Sequence, residues 1–95
     1  MIMMYCTYAL PIENRERFAK ELDTIAGPLV RKEKGCHQYT YFIPVDPNDK
    51  TLLLVEKWEN QECLDMHMHG EAMKTVVEIK KKYDAVTTAT KYEIK

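Results

Sequence analysis

The stretch LLLVEKWENQECLDMHMHG, residues 52–70, decides how the chain folds. Its first half is aliphatic and then alternates Glu56 and Trp58 with a lysine, a period of two that is typical of a β-strand. Its second half follows Asn60, a residue type that often caps the N-terminus of a helix, and contains His67. A strand that leads directly into a helix therefore brings the only tryptophan of the chain close to two of its three histidines.

The segments on either side of this stretch predict further strands. They are rich in β-branched, aromatic and aliphatic residues, and clusters of Pro, Asn, Asp or Gly bound them. Strands are predicted at residues 2–10, 36–44, 51–59 and 85–94. With the helical regions between them, the order of elements is β-α-β-β-α-β.

Two helical regions lie between these strands. The first starts near Glu13, and its apolar residues recur on one helical face: Phe18, Leu22, Ile25 and Leu29. Gly27-Pro28 is expected to kink or break this helix near Ala26, and Gly35 is expected to stop it. In the second region, Gly70 separates a short helix from a longer one. The apolar stripe of the longer helix comprises Ala72, Val76, Ile79 and Tyr83.

This order predicts an α+β chain with the ferredoxin-like arrangement, a four-stranded antiparallel sheet with both helices on one face. The third strand is aliphatic on both faces, with Leu52 and Leu54 on one and Leu53 and Val55 on the other. The helices can cover only one face, and a soluble monomer rarely exposes so much apolar area. We therefore expect a homodimer whose sheets pack face to face, a dimeric α/β barrel. Two tyrosines of the second strand are expected at that interface: Tyr39 and Tyr41.

Length and composition limit the classes of protein that fit. Residues 1–95 predict a single domain, and 14 basic against 15 acidic residues leave no basic stripe for nucleic acid. No apolar run reaches membrane-spanning length, and the N-terminus lacks the basic region and cleavage site of a signal peptide. Three cysteines without CxxC spacing are typical of reduced thiols rather than disulfides or a zinc site. We expect a cytoplasmic protein that binds neither nucleic acid nor membranes.

Four pieces of the chain together resemble the antibiotic biosynthesis monooxygenase (ABM) family of dimeric α/β-barrel proteins. They are Gly35-Cys36-His37-Gln38-Tyr39, Asp46-Pro47, Glu56-Lys57-Trp58 and Leu64-Asp65-Met66-His67. The resemblance implies a cofactor-free oxygenase of quinols or polyketide aromatics, in which the deprotonated substrate itself reduces O2. Other members of the family degrade haem, isomerise small phosphorylated ketones, or have no demonstrated activity. The haem-degrading branch uses an Asn on strand one, which is absent here, and a second family His-Phe pair is replaced by Ala72-Met73.

The candidate site is a pocket between the sheet and the helices. Glu56 and Trp58 share a strand face with Leu54, so in an apolar pocket the pKa of Glu56 would be raised and its carboxylate could take a phenolic proton. Trp58 would offer a flat wall to an aromatic ring. The alternative is that Trp58 belongs to the core and Glu56 pairs with Lys or Arg across the dimer.

His67, on the same helical side as Leu64, is a second candidate base, and its alternative is a hydrogen-bonded histidine at the rim. We expect the substrate-binding residues to be Leu54, Tyr8, Leu64, Met68 and Met73. His69 lies about 200° around the helix from His67, so the two make a poor chelating pair. We therefore expect no metal site.

The favoured function is a cofactor-independent monooxygenase that combines molecular oxygen with a small aromatic or quinol substrate. His67 or Glu56 would act as the base and Trp58 as the stacking surface. One alternative is an isomerase of a small carbonyl compound, which would need phosphate-binding cations in the pocket. The sequence places none there, since Lys80, Lys81 and Lys82 are expected on a solvated helix face. Another alternative is a non-catalytic dimeric module that binds a ligand.

Overall fold

The computed structural model describes residues 1–95 and confirms the predicted order of elements. The elements are β1 (Ile2–Ala9), α1 (Arg15–Glu21), α2 (Gly27–Arg31), β2 (Cys36–Phe42), β3 (Thr51–Trp58), α3 (Gln61–Met68), α4 (Glu71–Lys82) and β4 (Val86–Glu93). A 3-10 turn, Ile12–Asn14, precedes α1, and a π-helical segment, Leu22–Ala26, joins α1 to α2. No helix is both long enough and apolar enough to cross a bilayer.

The four strands form one antiparallel sheet in the order β2-β3-β1-β4, as expected for a ferredoxin-like fold. Cys6 on β1 lies opposite Leu54 on β3 and opposite Ala89 on β4, so these three residues share one face. The helices pack on that face, and β3 buries every second residue against them: Leu52, Leu54, Glu56 and Trp58. The predicted alternation along β3 is confirmed.

The opposite face of the sheet is left uncovered by the chain's own helices. The register places seven large apolar side chains on it: Met3, Tyr5, Phe42, Leu53, Val55, Val86 and Tyr92. Tyr39 and Tyr41 were expected on this face, and that expectation is wrong. They pair with Glu56 and Leu54 and lie on the helix side. The homodimer that would cover the open face stays a prediction.

The first helical region buries a different face from the one predicted. Ile25 and Leu29 are 47% and 45% exposed, whereas Ala26 and Val30 are fully buried with Phe18. A uniform α-helix repeats every 3.6 residues, and that period selected the wrong positions. The π-helical segment holds more residues per turn, so apolar residues spaced four apart stay on one face.

The interruption predicted near Ala26 is this π-helical segment, which ends the regular α-helix at Glu21 while helical structure continues past Gly27-Pro28. The Gly27 N–H donates to the Leu22 carbonyl, the longer-range bond of a π-helix. Pro28 then stands in the first turn of α2, where a missing N–H costs little. Helical structure continues to Arg31.

Two predicted stop and start signals position the turns that flank the site. Gly35 has a φ of 79°, and a Cβ there would lie 2.5 Å from Cys63 Sγ, so the turn before β2 sits directly on α3. Asn60 caps α3, its side chain accepting a hydrogen bond from the Cys63 N–H at 2.9 Å. The turn that carries Glu33 and the helix that carries His67 are therefore held together.

Candidate functional site

Glu56 lies in the middle of β3, only 6% exposed, with both carboxylate oxygens engaged. The Trp58 Nε1–H donates to Oε1 at 3.0 Å, which confirms that the two residues share a strand face. The Cys6 thiol, across the sheet on β1, donates to Oε2 at 3.4 Å. Both hydrogen-bond donors to this buried carboxylate are thus neutral groups of the sheet.

His67 projects from α3 onto this pair and is 2% exposed. Its ring stacks on the Trp58 indole, with the ring centroids 4.6 Å apart and the planes at 23°. Its Nε2 lies 3.6 Å from Glu56 Oε1, and its Nδ1 lies 2.6 Å from Glu33 Oε1. Three ionisable side chains therefore form a line, Glu33–His67–Glu56, which we call the acid–histidine–acid chain.

Glu33 connects this chain to solvent and was missed by the sequence analysis. It lies in the turn after α2, and its side chain is 23% exposed. In the sequence it stands within the charged run Arg31–Gly35, where nothing distinguishes it from a solvated residue at a helix end. Only the contact between that turn and α3 gives it a role.

Burial sets the electrostatics of the cluster. It raises the pKa of Glu56 above that of an ordinary carboxyl group, and the nearby Glu33 carboxylate adds to the rise. The Trp58 hydrogen bond, the charge of His67 and the Cys6 thiol oppose the rise without cancelling it. Burial, together with the charge of Glu56, raises the pKa of Cys6 to about 12, so its thiol remains a neutral donor. Glu56 is thus tuned toward accepting a proton.

A cavity of about 80 Å³ lies between the sheet and helices α3 and α4, and Glu56 and His67 both line it. Three of the predicted substrate-binding residues line it as well: Tyr8, Met68 and Met73. Leu54, Leu64 and Trp58 are instead buried in the core around it. The structure also brings Cys6, Tyr39, Lys80 and Thr87 to the cavity, which the sequence did not predict.

The cavity is small compared with the ~300 Å³ or more of a typical ligand site. Met68 and Met73 line both this cavity and a larger open groove of about 470 Å³ along α3 and α4. Met68 is 47% exposed, so two flexible thioether side chains form the partition between the inner and the outer space. Their displacement would join the two volumes.

Lys80 contradicts the expectation that residues 80–82 form only a solvated helix face. Its side chain lines the cavity, and its Nζ lies 5.8 Å from the centroid of the Tyr8 ring. The signal was present in the sequence, because Met73, Val76 and Lys80 recur at helical spacing on α4. A cation therefore does stand in the pocket.

The other two histidines lie outside the cluster. His69 is exposed as predicted, and its Nδ1 lies 2.8 Å from the Asp65 carbonyl. His37 is exposed and pairs with Glu59 at the edge of the sheet. No three His, Cys, Asp or Glu side chains are grouped so that they could hold a metal ion.

The fold and the buried cluster define a small ferredoxin-like α+β protein with an ionisable site beneath its helices. A family model described as antibiotic biosynthesis monooxygenase matches residues 1–79, and the chain belongs to that family. The resemblance inferred from the sequence is confirmed. No curated protein matches the chain.

Solved structures share the fold at low sequence identity. A candidate antibiotic biosynthesis monooxygenase from Deinococcus radiodurans is 21% identical with a TM-score of 0.86, covering 100% of this chain and 93% of that one. A conserved protein of unknown function from Bacteroides thetaiotaomicron is 22% identical with a TM-score of 0.86, covering 98% and 96%. A second candidate monooxygenase, from Nitrosomonas europaea, is 14% identical with a TM-score of 0.85, covering 99% and 98%. At these identities the likeness is one of fold.

Proposed function

We propose that the protein is a cofactor-independent monooxygenase of a small aromatic or quinol substrate, with Glu56 as its base. The observation that carries the proposal is the acid–histidine–acid chain ending in a carboxylate that lines the cavity. A general base works best when its pKa lies near the working pH, and burial moves Glu56 in that direction.

The first step is removal of an acidic C–H or O–H proton by Glu56 Oε2. That oxygen is held only by the weak Cys6 donor, whereas Oε1 is held by Trp58 and faces His67. Once the protonated carboxyl group of Glu56 has turned its O–H toward the imidazole, His67 Nε2 can take the proton while Nδ1 passes one to Glu33. Since Glu33 is partly exposed, the base is regenerated without admitting water to the cavity.

The second step uses the substrate anion itself as the reductant of O2. For an activated CH2 group between aromatic rings, the carbanion gives an electron to O2, and the radical pair combines to a peroxide. A proton returned through Glu33, His67 and Glu56 gives a hydroperoxide. Glu56 then removes the second C–H proton, the O–O bond breaks, C=O forms, and the departing hydroxide takes that proton. One oxygen atom enters the product and the other leaves as water, so the reaction requires no external reductant or cofactor.

The surroundings of Glu56 favour this chemistry. The apolar lining of Tyr8, Met68 and Met73 restricts water, which would protonate the anion before it met O2. Trp58 was expected to stack on the substrate, and that role stays a prediction. Because His67 already covers one indole face, we assign Trp58 the role of holding Glu56 in place.

Oxygen uptake with a panel of hydroquinones and anthrone-type compounds tests the proposal. Wild-type protein should consume O2 with at least one compound. Glu56→Gln, which keeps the shape of the side chain, should slow uptake by about 10²–10⁴-fold. Glu62→Gln, an exposed change on the same helix as His67, is the matched control and should have no effect. Equal rates in all three proteins would reject Glu56 as the base.

An isomerase of a small carbonyl compound is the second candidate, and the presence of Lys80 in the cavity favours it. The same base would remove a proton beside a carbonyl, and the lysine would balance the enolate charge. Anaerobic turnover separates the two functions, because an isomerase works without O2 and a monooxygenase does not. A protein that binds these compounds without turning them over would be the non-catalytic module.

A further inference from the structure

We infer that Lys80 and Thr87 form an anion-binding subsite at the β4 side of the cavity. The substrate class it defines is an aromatic compound that carries an ionised oxygen group, a carboxylate or a phenolate. The inference relies on the proposed function only in assuming that this cavity receives the substrate.

Lys80 is a cation without a partner of opposite charge. On the same helix, Lys74 pairs with Glu71 and Lys82 pairs with Glu21, and what sets Lys80 apart from the exposed lysines without ion pairs is its place in the wall of the cavity. Lys80 makes no such ion pair, and its ammonium group lies over the Tyr8 ring. An ammonium group in the wall of a cavity can bind an anion through a charge-assisted hydrogen bond, and the Tyr8 ring beside it can contact an aromatic ring.

Thr87 supplies an independent observation at the same place. Its Oγ1 is buried and has no hydrogen-bond partner, and the residue lines the cavity on β4, opposite Tyr8 on β1. Buried hydroxyl groups without partners are uncommon because they lose their hydrogen bonds to water and form none in the protein. A ligand oxygen in the cavity would satisfy this hydroxyl group.

The charges of the cavity fix the orientation of such a ligand. Glu56 repels the anionic group and Lys80 attracts it, so the group lies at the β4 side and the reacting carbon lies at Glu56. One cation and one hydroxyl group match a monoanion better than a phosphate dianion.

Binding of unreactive probes tests the subsite without any turnover. Benzoate, 4-nitrophenolate and the neutral benzyl alcohol are titrated under nitrogen at low salt and monitored by NMR. The two anions separate a carboxylate from a phenolate ligand. We expect wild-type protein to bind one of them at least tenfold more tightly than the alcohol. Lys80→Met should abolish that preference, and Thr87→Val should weaken anion binding about threefold to tenfold.

Lys81→Met is the matched control, since Lys81 is exposed and lies outside the cavity. It should keep the wild-type preference. Equal affinity for anions and alcohol, no binding at all, or equal effects of Lys80→Met and Lys81→Met would overturn the inference. Anion binding without O2 uptake would retain the subsite and reject the oxygenase. O2 uptake with neutral substrates that is unchanged in Lys80→Met would retain the oxygenase and reject the subsite.

Discussion

The Trp58 indole lies nearly parallel to the His67 imidazole, 4.6 Å away, while its Nε1–H points at the carboxylate that the imidazole also faces. One tryptophan therefore fixes both members of the site, the ring by stacking and the acid by a hydrogen bond. The site is held from the core side and left open on the cavity side. Changes to the tryptophan should accordingly alter the chemistry of Glu56 before they alter the fold.

Replacing Trp58 by Phe should raise the pKa of Glu56 further. Phenylalanine keeps an aromatic ring against His67 but loses the donor that stabilises the ionised carboxylate. Cys6→Ala removes the weaker donor and should shift the pKa in the same direction by less. Carbon-13 NMR of labelled glutamate carboxyl groups measures both shifts. A lower pKa in Trp58→Phe, or a larger shift in Cys6→Ala, would contradict this account of the site.

Glu56→Gln should make the folded protein more stable at neutral pH. Burial raises the pKa of Glu56 in the folded state, so the neutral carboxyl group is favoured and stability is lost as the pH rises through that value. The amide stays neutral and can still accept from Trp58. We expect a gain of about 1–2 kcal/mol at pH 8 that shrinks toward pH 5.

Urea unfolding at the two pH values measures this difference. Glu62→Gln is the control, because that side chain is exposed and its replacement should leave the free energy of unfolding unchanged at either pH. A variant less stable than wild type at pH 8, or a difference that grows as the pH falls, would show that ionised Glu56 stabilises the fold. In that case the buried base Glu56 would carry no cost in folding stability.

The sequence predicted the parts of the site that depend on strand periodicity. Alternation along β3 is strict, so Glu56 and Trp58 had to share a face, and the helix following Asn60 had to bring His67 near them. The helical face of Ile25 and Leu29 could not be predicted correctly, because the apolar pattern does not reveal a π-helical segment. A change in the number of residues per helical turn can be recognised only in the folded structure, where packing determines which residues are buried.

Glu33 and Thr87 show a second limit of sequence reasoning. Glu33 reaches His67 across 34 positions of the chain, and a charged residue in a turn carries no mark of such a contact. Thr87 becomes a candidate only because its buried hydroxyl group lacks a hydrogen-bond partner, which is a property of the packed structure. Local patterns predict which face a residue occupies, whereas the partners of polar groups depend on the tertiary fold.

The open face of the sheet should make the protein a homodimer, and Val55→Lys should disrupt it. Val55 lies on the central strand β3, on the apolar face that the helices leave uncovered. A lysine there would have to lose its hydration in a sheet-to-sheet interface. Light scattering should give a dimer mass for wild type and a monomer mass, or a much weaker dimer, for the variant.

Ile25→Lys is the control for this experiment, since Ile25 is an exposed aliphatic residue on the helix layer, away from the sheet face. It should retain the dimer mass. A monomeric wild-type protein would remove the argument from the open face. A dimer abolished by Ile25→Lys and kept by Val55→Lys would place the interface on the helices instead.

Gly35→Ala should weaken both the fold and the acid–histidine–acid chain. Its φ of 79° disfavours any residue with a Cβ, and that Cβ would lie 2.5 Å from Cys63 Sγ. We expect a loss of about 2–4 kcal/mol in the free energy of unfolding, from backbone strain and from the displacement of α3. Because Glu33 lies two residues earlier in the same turn, its contact with His67 should loosen as well.

Lys34→Ala, an exposed change between them, should stay within about 0.5 kcal/mol of wild type. Urea unfolding measures the first effect, and the ring NMR signals of His67 report the second. If Gly35→Ala matched Lys34→Ala in both measurements, the turn would not be what holds Glu33 against α3.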